Sequence, residues 1–215
     1  MKKCVIISGG VLENEDFHRR IVKDAEMVIC ADAGARHAER LGIRPDLVIG
    51  DLDTLEEEEI RRLQDRQIAL HKYPREKDYT DTHLCLLEAL ELGFQHIIML
   101  GCLGGRFDHA LANVMLLTLP QARQADVRIV DPGQEIFLVK PETVITGQKG
   151  QTLSLFPLTE EVSGITTEGL FYRVPGGKFE LGVGNGMSNV FSEPEVKIAY
   201  ERGLLLGILL NKDVK

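Results

Sequence analysis

The sequence predicts an α/β N-terminal domain, a mostly parallel sheet flanked by helices, followed by an all-β, sandwich-like C-terminal domain. Up to about Gln124, short apolar runs alternate with amphipathic stretches of helical period, the mark of parallel strands joined by crossover helices. Beyond Pro120 the runs are short and rich in β-formers. They are broken every eight to twelve residues by Pro-Gly, Gly-Gln-Lys-Gly, Pro-Gly-Gly and Asn-Gly, the punctuation of an antiparallel sandwich or barrel. A third observation is that aspartates gather at the joints of the first half. The domains are expected over 1–125 and 126–215, with the boundary between Pro120 and Gln134.

The first-half strands are read at Cys4–Ile7, Met27–Ala31, Leu47–Gly50, Ile68–His71 and His96–Gly101. Helices are read between and after them at Asp16–Glu26, Ala35–Leu41, Glu56–Arg66, Thr80–Leu92 and Asp108–Leu119. Ligands of such sheets bind beyond the carboxyl ends of the strands, near a switch in strand order. Asp32, Asp51, Asp53 and Asp108 all follow strand runs. In the second half, strands are expected at Val127–Val130, Glu135–Val139, Thr143–Ile145, Thr152–Phe156 and Val196–Tyr200, with Glu201-Arg202-Gly203 as a hairpin turn.

Composition excludes several classes. A net charge of −8 with no basic run argues against nucleic acid as a partner. The same acidity repels phosphate, so a phosphate-handling site needs metal ions or local Arg and Lys. Cys4, Cys30, Cys85 and Cys102 lie far apart without metal-ligand spacing, and read as reduced core residues of a cytoplasmic protein. The apolar run after Met1-Lys2-Lys3 is too short for a signal peptide, and no stretch approaches a membrane span.

Gly50-Asp51-Leu52-Asp53-Thr54 ends an apolar strand with two carboxylates. On an extended strand, residues two apart share a face, so both could meet one hard cation. An Asx-turn followed by a helix N-cap explains the same residues, with Thr54 and Glu56–Glu59 opening the next helix. Lys77-Asp78-Tyr79-Thr80-Asp81-Thr82 opens another helix. Asp and Thr there suit capping and the helix dipole, and a helix N-terminus is also a phosphate seat. Gly104-Gly105-Arg106-Phe107-Asp108-His109, with Asn113 a turn later, offers close backbone approach and a planar guanidinium fork. A capped turn with a surface Arg is the plainer alternative. There is no P-loop, and Gly182–Gly186, despite its glycines, reads as a loop turn without a following helix.

In order along the chain, these segments resemble thiamine pyrophosphokinase (thiamine diphosphokinase). Ala31-Asp32-Ala33-Gly34-Ala35, Pro45-Asp46, Gly50-Asp51-Leu52-Asp53-Thr54, Lys77-Asp78-Tyr79-Thr80-Asp81, Gly104–His109 with Asn113, and Ser188-Asn189 follow the family pattern. Ala33, Leu52 and Thr54 stand where the family has Gly, Phe and Ser. The chain has no Trp, a residue some members stack on thiamine, which leaves Tyr172 and Phe191 as aromatic candidates.

The resemblance implies transfer of pyrophosphate from ATP to the hydroxyl of thiamine, releasing AMP. It implies magnesium held by Asp51, Asp53 and Asp81 with Asp32 close by, and Arg106 and Lys77 as counter-charges. Asp32, Lys77, Asp78, Arg106, Asp108, His109 and Asn113 would serve the ATP site, while Ser188 and Asn189 would bond the aminopyrimidine. Asp81 is a candidate acceptor for the hydroxyl proton, though the residues alone select none. A homodimer with thiamine between subunits is also implied. Two rivals are a metal-dependent nucleotide-sugar glycosyltransferase, from Asp-Leu-Asp alone, and a non-catalytic nucleotide or thiamine sensor.

Overall fold

The apolar runs of the first half become parallel strands because each is followed by a helix with one apolar face to lay back on the sheet. The computed structural model describes residues 2–211 of the chain, in two compact units, Met1–Pro132 and Gly133–Lys215. The first unit runs β1 (Lys3–Ile7), α1 (Glu15–Val22), β2 (Met27–Ala31), α2 (Gly34–Leu41), β3 (Leu47–Gly50) and α3 (Glu57–Asp65). It continues with β4 (Ala69–Lys72), α4 (Asp81–Glu91), β5 (His96–Leu100), α5 (Phe107–Leu116) and β6 (Asp126–Asp131).

Its strands lie in the order β6-β5-β1-β2-β3-β4, and every pair is parallel. Val5 of β1 stands opposite Val28 on one side and Ile98 on the other. From β1 the chain builds β2, β3 and β4 on one side, then crosses to lay β5 and β6 on the other. The strand order therefore reverses between β1 and β5. The strand over Asp126–Asp131, whose texture suggested the second domain, pairs in parallel with β5 and falls in the first unit.

Helix ends follow local chemistry. Thr80 caps α4 by accepting the His83 N–H at 3.2 Å, a bond of a type worth about 1 kcal/mol. Helix α3 is capped by a reciprocal Glu56–Glu59 box. Asp53 and Thr54 do not cap it, as the alternative reading of that segment had suggested. Helix α1 stops at Val22, short of the expected Glu26, because the chain must turn back for the Glu26 N–H to reach the Lys3 carbonyl.

The second unit is all β: β7 (Gln134–Val139), β8 (Thr143–Thr146), β9 (Thr152–Pro157), β10 (Glu161–Ser163), β11 (Thr166–Glu168), β12 (Lys178–Glu180), β13 (Asn189–Val190), β14 (Glu195–Ala199) and β15 (Leu205–Leu210). Strands β13-β9-β15-β7 form one antiparallel layer, β11-β14-β8 a second, and β10 pairs with β12. Phe137, Leu155 and Leu205 of the first layer pack with Ile145, Val196 and Ile198 of the second in one core, the arrangement of a sandwich. Glu201-Arg202-Gly203 is not a hairpin. It carries the chain from β14 in one layer to β15 in the other, so both flanking runs are strands that do not pair together. All four cysteines are buried and free. Among the described residues no helix is long and apolar enough to cross a membrane.

Candidate active site

A cavity of about 620 Å³ opens at the carboxyl ends of the parallel strands, where the order reverses. Ser8 to Val11 line it after β1, Ala31 to Ala33 after β2, and Gly101, Cys102 and Gly104 to Arg106 after β5. The start of α4 adds Tyr79 to Thr82, and α5 adds His109 and Asn113. Gly101 sits at φ 63, and a Cβ there would strike the Ser8 carbonyl oxygen, so only glycine closes this wall.

Asp32 follows β2 with a left-handed backbone, φ 42, and is 6% exposed. Its Oδ2 accepts the Thr54 hydroxyl at 2.5 Å, while its Oδ1 is buried without a hydrogen-bond partner. Burial raises its carboxyl above the usual range against the pull of the Thr54 bond, and the Asp81, Asp51 and Asp53 charges push it further. Gly50 makes this crowding possible, since a Cβ there would stand 2.9 Å from Asp32 Cβ and 3.2 Å from the Asp81 carboxyl carbon.

Asp51 and Asp53 converge, but not through the pleat of a strand. Strand β3 ends at Gly50, and Leu52 takes φ 61, a strain of roughly 1–3 kcal/mol for a leucine that its burial against the core helps to hold. The Asp53 N–H then donates to Asp51 Oδ1 at 3.1 Å. That bond, with Lys77 and Arg75 nearby, holds the Asp51 carboxyl below the usual range despite some burial. Carboxylate oxygens of Asp32, Asp51 and Asp53 lie within 4.8 Å of one another, the one group among the described residues spaced to hold a metal ion.

Asp81 stands outside that triplet. Lys77 Nζ lies 2.8 Å from Asp81 Oδ1 and 4.0 Å from Asp51 Oδ2. The closer approach is an ion pair without hydrogen-bond alignment, so Asp81 Oδ1 also counts as a buried oxygen lacking a donor. Arg75 Nε reaches Asp53 Oδ2 at 3.4 Å. Arg106 lines the cavity and forks onto Asp108 at 3.1 and 2.6 Å, and that pairing lowers the Asp108 carboxyl. Asn113 is buried and donates to the Cys102 carbonyl at 2.9 Å. Asp78 is exposed and outside the cavity lining, as is Asp108.

Sequence reasoning passed over Ser8, Arg75, Tyr79 and Thr82. Ser8 hydrogen-bonds Thr82 at 2.9 Å and fixes the start of α4 against the end of β1. Its position after the first strand, beside two glycines, was the available signal. Cys102 offers no thiolate here, since burial pushes its thiol up to about 12.

In the second unit, Ser188 is exposed at φ 54, and its N–H donates to Ser154 Oγ at 3.0 Å. Asn189 is buried with its amide engaged by backbone. Phe191 is 1% exposed within the sandwich core, whereas Tyr172 is 59% exposed.

Residues 18–130 match the family model for the thiamin pyrophosphokinase catalytic domain, and residues 139–205 that for the thiamin pyrophosphokinase vitamin B1 binding domain. This chain belongs to the thiamin pyrophosphokinase family. It is 29% identical to the thiamine pyrophosphokinase of Bacillus subtilis over 210 residues, covering 97% of this chain and 98% of the relative. Thiamine pyrophosphokinase 1 of Oryza sativa is 27% identical, with 86% of this chain and 80% of the relative covered. The Bacillus subtilis crystal structure superposes with a TM-score of 0.85 at 29% identity, over 98% of this chain and all of the other. That of Geobacillus thermodenitrificans gives 0.83 at 25% identity, over 98% of each chain. A thiamine pyrophosphokinase moves pyrophosphate from ATP to the hydroxyl of thiamine, leaving AMP. The match decides against nucleotide-sugar transfer and against a sensor without catalysis.

Proposed function

We propose that this thiamine pyrophosphokinase binds ATP in the cavity of the first unit, with magnesium as its divalent cation held by Asp32, Asp51 and Asp53. The supporting observation is the carboxylate triplet within 4.8 Å, one of whose members keeps a buried, unpartnered oxygen. Close carboxylates repel, and hard oxygen donors suit magnesium. Magnesium, when bound, neutralises phosphate charge as the pyrophosphoryl group moves.

The chain's own residues do the rest. Lys77 sits between Asp51 and Asp81, where it complements phosphate charge and keeps the acidic wall from repelling ATP. Arg106 and Arg75 add charge at the cavity wall. Asp81 adjoins the triplet and is the group we assign to receive the thiamine hydroxyl proton. Asp108 orients Arg106, Asn113 fixes the loop after β5, and His109 adds to the cavity lining. The second unit provides the thiamine contacts, with the exposed Ser188 presented by its left-handed turn.

The working form is a cytoplasmic homodimer with thiamine at the subunit boundary. Four buried free thiols support a reducing compartment. Phe107, Leu111 and Met115, exposed at four-residue spacing on α5, support self-association.

The deciding assay mixes the protein with ATP, thiamine and magnesium. AMP and thiamine diphosphate are expected, stopped by excess chelator. ADP with thiamine monophosphate would refute pyrophosphoryl transfer, and chelator-insensitive AMP release would refute the metal site.

A further inference from the structure

We infer that Arg36 is a positioning residue for the cation site. From the first turn of α2 it holds the Thr54 carbonyl, and through Thr54 it sets the Asp32 carboxylate and the loop that carries Asp51 and Asp53. The inference rests on the magnesium reading above and adds to it a residue just outside the Ala31–Ala35 segment.

Asp32 and Arg36 stand four residues apart, after the end of β2 and in the first turn of α2. The Ala35 N–H donates to the Asp32 carbonyl at 3.0 Å and the Arg36 N–H to the Ala33 carbonyl at 3.1 Å, so the helix start fixes both backbones. Their side chains then grip Thr54 at two points. The Thr54 hydroxyl donates to Asp32 Oδ2 at 2.5 Å, and Arg36 Nη2 donates to the Thr54 carbonyl at 2.6 Å. Both oxygens of Thr54 are thereby engaged, and the residue cannot turn without breaking one of these bonds.

Arg36 is itself held. Its Nε and Nη2 donate to the two oxygens of Glu59, each at 2.7 Å, a planar fork. Glu59 Oε2 also accepts the Glu56 N–H at 2.7 Å, which anchors the fork where the loop enters α3. Within that loop Leu52 and Leu55 are buried, whereas Asp53 and Thr54 are exposed. The placement of the exposed pair therefore depends on polar bonds more than on packing. The carboxylates of the triplet repel one another, and magnesium tolerates little distortion of its oxygen shell. Loosening Thr54 is felt as lost cation affinity.

The plainer alternative is a surface clasp between α2 and α3. The Arg36 side chain is 46% exposed, and exposed ion pairs contribute little to stability. A second arginine separates the two readings. Arg62 of α3 reaches Glu39 of α2 and Glu58, each at 3.5 Å. It joins the same two helices, but these partners lie outside the loop. Arg36 holds Thr54, which lines the cavity.

The test uses the full chain. Arg36→Met keeps an apolar stem and removes the donors. Manganese(II), titrated into nucleotide-free protein and followed by electron paramagnetic resonance, should bind this variant about tenfold more weakly. The magnesium needed for half-maximal turnover should rise similarly, with the thiamine KM unchanged and turnover largely recovered at saturating magnesium. Arg62→Met should match the wild type in both measurements. Thr54→Val should show a loss of the same kind, and adding Arg36→Met to it should cost little more, because Arg36 acts through Thr54. Thermal melts establish that each variant is folded at the assay temperature. Should Arg36→Met unfold, Arg36→Lys, which keeps the charge without the fork, should show a smaller rise in the magnesium requirement. A wild-type magnesium requirement in the folded Arg36 variants would overturn the inference. Equal shifts in Arg36→Met and Arg62→Met, or fully multiplicative losses in the double variant, would do the same. A wild type that binds no manganese and whose AMP release ignores chelator would refute the cation site itself, a separate failure.

Discussion

The Thr54 hydroxyl donates to Asp32 Oδ2 at 2.5 Å, while the Thr54 carbonyl accepts Arg36 Nη2 at 2.6 Å. One residue thus ties the carboxylate after β2 to the segment that carries Asp51 and Asp53. It also leaves Oδ1 as the oxygen of Asp32 with no hydrogen-bond donor. The hydroxyl therefore decides which face of Asp32 is available.

Thr54→Val removes the donor at nearly constant volume. A hydrogen bond to a charged group is worth about 1.5–3 kcal/mol, so turnover should fall about tenfold or more, and magnesium should be needed at higher concentration. Thr54→Ser keeps the donor and should stay near wild type. Equal activity in Val and Ser variants, titrated against magnesium, would show that the bond orients nothing.

Asp51→Asn and Asp53→Asn keep size and lose the charge that a hard cation prefers. Turnover is expected to drop by orders of magnitude with the melting temperature nearly unchanged, because Asp53 is exposed and contributes little to packing. Asp51 also accepts the Asp53 N–H, and Asn keeps an oxygen for that bond. A variant that melts early yet turns over normally per folded molecule would assign these residues to the turn alone.

Much of this was legible in the chain, for physical reasons. Met27–Ala31 and Leu47–Gly50 are uninterrupted apolar runs because parallel strands are covered on both faces, and they are found at those limits. The edge strand β4 is largely exposed, and its limits shift by one residue from the run Ile68–His71. The site was legible as residue types but not as geometry. Nothing in Asp-Leu-Asp announces a left-handed leucine, so the residues alone point to a strand pleat where the chain in fact turns after Gly50. The short pairings of β10, β11, β12 and β13 depend on partners distant in sequence. The bonds between the Asn189 amide and the Tyr172 backbone are not legible either, because the two residues lie seventeen apart.

Arg106 is engaged by Asp108 through two bonds that present its guanidinium at the cavity wall. Arg106→Lys retains the charge and loses the fork, and about a tenfold rise in the ATP KM is expected, with a larger rise for Ala. The thiamine KM should move little. If steady-state kinetics give an unchanged ATP KM for the Ala variant, the arginine is a surface residue and the plainer reading of Gly-Gly-Arg is correct.

Glu59 lies behind the site and carries a pH signature. Its carboxylate accepts Arg36 Nε and Nη2, each at 2.7 Å, and the Glu56 N–H at 2.7 Å. The Arg36 bonds first, and the Glu56 N–H second, hold its carboxyl down at about 2, against an ordinary 4.5. A carboxylate depressed on folding stabilises the protein fully above its unfolded value, and loses that contribution as pH falls toward the folded value. Glu59→Gln keeps the oxygen for the Glu56 N–H and removes the charge facing Arg36. The variant should melt below wild type near neutral pH, with the gap closing progressively between pH 4.5 and 2. Since Arg36 also holds the Thr54 carbonyl, the variant should need more magnesium for the same turnover at neutral pH. Thermal melts of both proteins across that pH range check the first claim. A gap that stays constant from neutral pH down to about pH 3 would mean that the charge on Glu59 contributes nothing to stability.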